Sequence, residues 1–151
     1  MVAVAGTVLR FDLRDASNAE TAVRVAATAN GRPAVQDRTP LVFACSGCSF
    51  AGQLADNVAR ELDRQQCAEM SCLAGVGAKH PSFLRRLPGR RVWIVDGCAI
   101  ECARGVFEQA AQAEFVTTHI RLHDWGFKKN QPPADGVDVP ALAHRIARAF
   151  A

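Results

Sequence analysis

The chain has no tyrosine, only two tryptophans and few aromatic residues of any kind, and it holds no apolar run near the roughly 18 residues that a membrane-crossing helix needs. A membrane role is therefore not expected. Its first residues also lack the unbroken apolar core of a secretion signal, because Arg10, Asp12, Arg14 and Asp15 interrupt it, so a cytoplasmic protein is expected. A basic stripe interleaved with aromatics is missing too. The net charge is only +3, and the one arginine cluster, Arg85, Arg86, Arg90 and Arg91, reads as a solvated helix end and loop, so no nucleic-acid partner is expected. With these classes set aside, 151 residues at 49% hydrophobic and 22% charged make ordinary globular material, enough for one well-buried domain.

Six cysteines are the unusual feature. In a reducing compartment, paired cysteines point to metal or redox chemistry more than to structural disulfides. Residues 1–40 carry none of them and read as an N-terminal extension: Leu9, Phe11 and Leu13 alternate with charges as in a strand, Thr21 to Thr28 reads as a short helix, and breaker clusters around Asn30-Gly31 and Thr39-Pro40 lead out of it. The domain expected over residues 41–151 then repeats a pattern. Leu41 to Ala44 is an uncharged buried strand, Cys45-Ser46-Gly47-Cys48 a turn, and Leu54, Val58 and Leu62 one face of a helix with Ser49 as its cap. A weaker copy runs through Glu69 to Leu73, a loop at Gly75-Val76-Gly77 and a short helix from Pro81 to Leu87. The third has a strand at Val92 to Val95, then Asp96-Gly97-Cys98, then a helix on which Cys98 and Cys102 are expected to share a face. A fourth strand is expected over Phe115 to Leu122, and a last helix from Pro140 with Leu142, Ile146 and Phe150 on one face.

Strands alternating with helices imply an α/β fold: a small, mainly parallel sheet of about four strands with flanking helices. In that architecture the C-terminal strand ends share one edge, where ligands gather. Cys45, Cys48, Cys72, Cys98 and Cys102 all follow strand ends, so five of the six cysteines are expected on that edge. Together, Ala44-Cys45-Ser46-Gly47-Cys48-Ser49 with Gly52-Gln53-Leu54-Ala55, Met70-Ser71-Cys72 with Ala74-Gly75-Val76-Gly77, Asp96-Gly97-Cys98 with Cys102, and Gly126-Phe127-Lys128-Lys129 resemble the DGC-domain family of zinc-binding proteins, from about Leu41 to Lys129. The resemblance implies zinc held by Cys45, Cys48, Cys72, Cys98 and Cys102, and no settled reaction. Cys67 matches none of its motifs, and Ala99 stands where many members carry proline.

The residues themselves agree with a metal and set limits. Zinc takes about four ligands, with thiolates the best structural ones, so five candidates leave one spare. An iron–sulfur cluster also uses four cysteines, which leaves both metals open. Cys45-x-x-Cys48 at a strand–helix junction also fits a thiol redox or metal-transfer protein, in which the helix start lowers a thiol's pKa. A low-molecular-weight phosphatase or arsenate-reductase-like enzyme needs an arginine six residues after its nucleophile, where this chain has Ala51 or Leu54. Asp96 reads equally as a turn former or as a partner behind a metal ligand, and Gly97 as the residue that lets backbone approach. Glu101 reads as a first-turn charge. His80 is the one histidine considered as a ligand, against a cap or loop role, while His119, His123 and His144 read as surface residues. No catalytic residue is named, and the partner, protein or small molecule, stays open.

Overall fold

The structure, a computed structural model, describes residues 38–45, 47 and 49–151. The strand and helix expected before residue 38 lie outside the described residues, as do Ser46 and Cys48. Four strands form one sheet, β1 (Leu41–Ala44), β2 (Glu69–Met70), β3 (Val92–Asp96) and β4 (Thr118–Arg121), in the order β2-β1-β3-β4 with every pairing parallel. Helices α1 (Phe50–Arg64), α2 (Leu73–Gly77), α3 (Pro81–Leu84), α4 (Cys102–Gln109) and α5 (Val139–Phe150) fill the connections and the C-terminal end. Among the described residues no helix is long and apolar enough to cross a membrane.

The strand order explains the sequence of β1 and β3. The chain steps from β1 to one side for β2, then back across β1 to β3 and on to β4, so right-handed crossovers place α1 on one face and α2, α3 and α4 on the other. The helix contacts agree: α1 packs on α5, and α2 packs on α3 and α4. With both faces covered, a central strand has no solvent side on which to put charge, and Leu41–Ala44 and Val92–Val95 are apolar without alternation and fully buried. Phe43 meets Phe107 of α4 edge to face at 5.1 Å, and Trp93 meets Phe150 of α5 in the same way at 6.4 Å, so the sheet is clamped by aromatics on both sides.

Three local expectations change. The strand expected over Glu69 to Leu73 stops at Met70, because Cys72 takes the N-cap position of α2 and Leu73 opens that helix. Gly75-Val76-Gly77 is not a loop but the end of α2, because Val76 is drawn fully into the core and its turn is short enough to tolerate the glycines. The fourth strand is shorter than its alternating pattern, since 3-10 turns at Ala113–Phe115 and Leu122–Trp125 take up its ends.

In a doubly wound sheet the ligand crevice opens where neighbouring strands send their connections to opposite faces. Here that point lies between β1 and β3, whose C-terminal ends carry Cys45 and Gly97-Cys98. The first turn of α1 closes tightly over it. Ser49 caps α1 through its Oγ, which accepts from Gly52 N–H at 3.2 Å, and the Lys129 carbonyl accepts from Ala51 N–H at 3.1 Å, which gives the Gly126–Lys129 segment a backbone role. A Cβ at Gly97 would run into the backbone of Ala51 and Gly52, so glycine is required there by close approach. Gly97→Ala is expected to destabilise the domain by about 3 kcal/mol, at the upper end of overpacking costs, because backbone and not a flexible side chain must yield. Chemical denaturation of the two proteins checks it; equal midpoints would contradict the packing described.

Candidate functional site: the thiol edge between β1 and β3

Asp96, the last residue of β3, is completely buried, and its carboxylate accepts three hydrogen bonds. Oδ1 accepts from Ala103 N–H at 2.7 Å; Oδ2 accepts from Arg104 N–H at 3.1 Å and stands 2.9 Å from His119 Nε2. Asp96 thus does from β3 what a capping side chain normally does from its own helix, satisfying free N–H groups at the positive end of α4. The residue in the N-cap position, Glu101, makes no side-chain cap and adopts a left-handed backbone, φ 54° and ψ 50°. Its carboxylate turns instead to Arg121, 2.9 Å away.

This arrangement moves the start of α4. The helix begins at Cys102, because Glu101 reverses the chain and Asp96 pins the N–H groups of Ala103 and Arg104. Cys98 lies in the preceding turn, closed by Glu101 N–H to the Cys98 carbonyl at 3.1 Å, so the two thiols do not share a helix face as their spacing of four implied. Cys98 is half-buried and Cys102 exposed.

Cys45 is buried. Its N–H continues the β1–β3 ladder to the Val95 carbonyl at 2.9 Å, and its Sγ accepts from Gly97 N–H at 3.2 Å. Burial pushes this thiol up to about 11 from an ordinary 9.0; the Gly97 N–H pulls it down, and the charges of Asp96, Cys102 and Cys98 push it up again. The expectation of an acidic thiol at the head of α1 is therefore corrected for Cys45: loss of water outweighs the one N–H it gains. Asp96, Cys98, Cys102 and Cys45 share one electrostatic neighbourhood.

The other cysteines separate. Cys72 is exposed in the N-cap position of α2, with no cap bond from its side chain. Cys67 is half-buried just before β2, at the opposite edge of the sheet, with its Sγ 3.6 Å from the Gln65 carbonyl. His80 caps α3, its Nδ1 accepting from Ser82 N–H at 3.3 Å. His119 and His123 are not the surface residues their pattern implied: His119 is held on Asp96, and His123 stands 2.8 Å from Arg121. The signal that was available for His119 is its place on β4, one strand from Asp96 in a parallel sheet. Ala51 and Leu54, where a phosphatase loop needs arginine, are buried apolar residues.

Thiols are the side chains that zinc binds best, but among the described residues no three His, Cys, Asp or Glu side chains are gathered closely enough to hold a metal ion. Two outcomes follow from the geometry. Asp96→Asn, which replaces one accepting oxygen with an amide donor facing an N–H, is expected to cost about 2 kcal/mol, read as a lowered denaturation midpoint. For the metal-free protein, the unfolded Cys45 thiol ionises near 9 and the folded one only near 11, so stability is full below about 9 and falls as pH rises to about 11. With no tyrosine to titrate in that window, thermal melts of the wild type against Cys45→Ala isolate the slope; parallel curves would contradict it.

The chain matches the family model described as the DGC domain over residues 41–146. The anaerobic and virulence modulator AnvM of Pseudomonas aeruginosa is 47% identical over 95 residues, covering 62% of this chain and 70% of that protein. No solved structure matches.

Proposed function

The chain belongs to the DGC-domain family, and from that premise we propose that it is a zinc-binding module whose ligands are the thiols of Cys45, Cys48, Cys98 and Cys102. The observation that supports this reading is that Cys45, Cys98 and Cys102 all follow the C-terminal ends of β1 and β3, on either side of the switch point, although their side chains are not gathered into a preformed metal site. Cys48 belongs to the same loop by sequence. Cys72 is taken as the spare thiol, because it is exposed in the N-cap position of α2 and opens on a different crevice.

Four thiolates and one zinc carry a formal charge of 2−, which the N-terminal ends of α1 and α4 are placed to stabilise. A bound zinc would supply deprotonation of its ligands and a cross-link between the first and third strand–helix units. The chain's own residues do the positioning: Asp96 sets the start of α4 and with it Cys102, and the Gly97 N–H fixes Cys45. A binding or regulatory module fits this better than a thiol oxidoreductase, since a buried thiol with a pKa near 11 is a poor nucleophile at neutral pH. The name of the Pseudomonas relative, a modulator, accords with the same reading.

Protein purified under reducing conditions is expected to carry about one zinc per chain by elemental analysis. Cys98→Ser and Cys102→Ser should lose the metal and much stability, because zinc affinity at such a site is folding free energy, while Cys67→Ser and Cys72→Ser should retain it. Loss of zinc from Cys67→Ser with retention in Cys98→Ser would reverse the assignment, and iron with sulfide in place of zinc would make the site a cluster.

A further inference from the structure

The turn that joins β3 to α4 carries two of the four proposed ligands, and its backbone is strained. Among the described residues, four that are not glycine take a positive φ. Gln66, Lys79 and Ala111 do so two positions beyond the ends of α1, α2 and α4, where a left-handed residue commonly closes a helix. Glu101 alone does so in front of a helix, at φ 54° and ψ 50°, a conformation that a residue with a Cβ disfavours. Such a backbone persists only where its surroundings hold it. Here they do: the Glu101 carboxylate lies 2.9 Å from the Arg121 guanidinium and 3.8 Å from that of Arg104. Arg121 is fixed in turn, since it ends β4 opposite Asp96 in register, with His123 at 2.8 Å and Asp124 at 3.4 Å. The Glu101 and Arg121 side chains are only 21% and 25% exposed, so their attraction is screened less than that of a surface pair.

We propose that the Glu101–Arg121 pair is a latch: closed, it keeps Cys98 and Cys102 off a common face, and metal is taken up by the form in which it has opened. Residues four apart face the same way on a right-handed helix, and the left-handed Glu101 is what breaks that register between the two thiols. Its return to the right-handed region moves Cys98 towards the side of Cys102. Asp96 meanwhile goes on holding the start of α4, and Cys102 with it, through the N–H groups of Ala103 and Arg104. Opening gives up the ion pair and relieves the backbone. The structure shows the closed form, so the pair outweighs the strain, and the open form prevails when a ligand binds it alone. A latched turn also accounts for the dispersed donors, with no three of them gathered to hold a metal among the described residues. The inference rests on the zinc reading for the identity of the cation, whereas the latch itself is readable without any metal.

Full-length reduced protein, stripped of metal by chelation, is assayed at one pH in two ways. Zinc affinity is read by competition with a chromophoric chelator. Separately, phenylarsine oxide, which bridges two neighbouring thiols with loss of water, reports how fast Cys98 can be joined to Cys102, the products being mapped by mass spectrometry. A weakened latch raises the open fraction, and apparent affinity scales with that fraction. Arg121→Gln should therefore tighten zinc binding and speed the bridging by about fivefold each, even as its melting temperature falls. Glu101→Gln, an isosteric change, should do the same and serves where Arg121→Gln does not fold. Adding Glu101→Gly to Arg121→Gln isolates the backbone, because the pair is already gone; glycine takes the left-handed conformation without strain, so both readings should return most of the way to wild type. Unchanged or slower bridging in Arg121→Gln and Glu101→Gln, or zinc binding that weakens along with the melting temperature, would overturn the latch. Faster bridging with no zinc uptake by any of the proteins would uphold the latch and sink the zinc reading instead.

Discussion

A carboxylate with no exposure to water, placed at the end of the central strand β3, is the constraint on which the thiol edge depends. Buried charge is costly unless its lone pairs are used, and Asp96 uses them on two N–H groups of α4 and on His119. The same bonds that satisfy Asp96 decide where α4 begins, and so place Cys102 in its first turn and Cys98 in the turn before it. They also tie β4 to β3 beyond the ladder, through His119. A side chain that looks from its neighbours like a turn former is therefore a junction between two strands and a helix.

The second constraint is the closeness of α1 to β3. Gly97 meets the backbone of Ala51 and Gly52, and a Cβ on Gly52 would in turn lie 2.9 Å from the Gly47 Cα, so three glycines remove side chains where three backbone segments meet. This contact buries Cys45 and aims the Gly97 N–H at its sulfur. Burial makes Cys45 hold its proton as a free thiol, which disfavours the thiolate that a nucleophile needs at neutral pH.

Much of this was legible in the sequence. The uncharged runs at Leu41 and Val92, the Ser49 cap and the four-residue spacing along α1 are local signals, and the parallel sheet follows from them by topology, as does the placing of Cys45 and Cys98 just beyond the C-terminal ends of β1 and β3. The left-handed Glu101 was not legible, because nothing in its neighbours demands it; it stands at the turn that brings the N–H groups of Ala103 and Arg104 onto the buried Asp96 carboxylate. The same reason hid the role of His119, whose partner is 23 positions away in the chain and one strand away in space. The pKa of Cys45 turned on burial, a three-dimensional quantity, against a helix-end effect that sequence position alone suggests.

The central claim is that zinc is held by thiolates from two strand–helix junctions, and X-ray absorption at the zinc edge of the loaded full-length protein tests it most directly. Four sulfur neighbours near 2.3 Å, unchanged in Cys72→Ser protein, is the result the account predicts. A shell dominated by nitrogen and oxygen, or one that loses a sulfur when Cys72 is replaced, would contradict it.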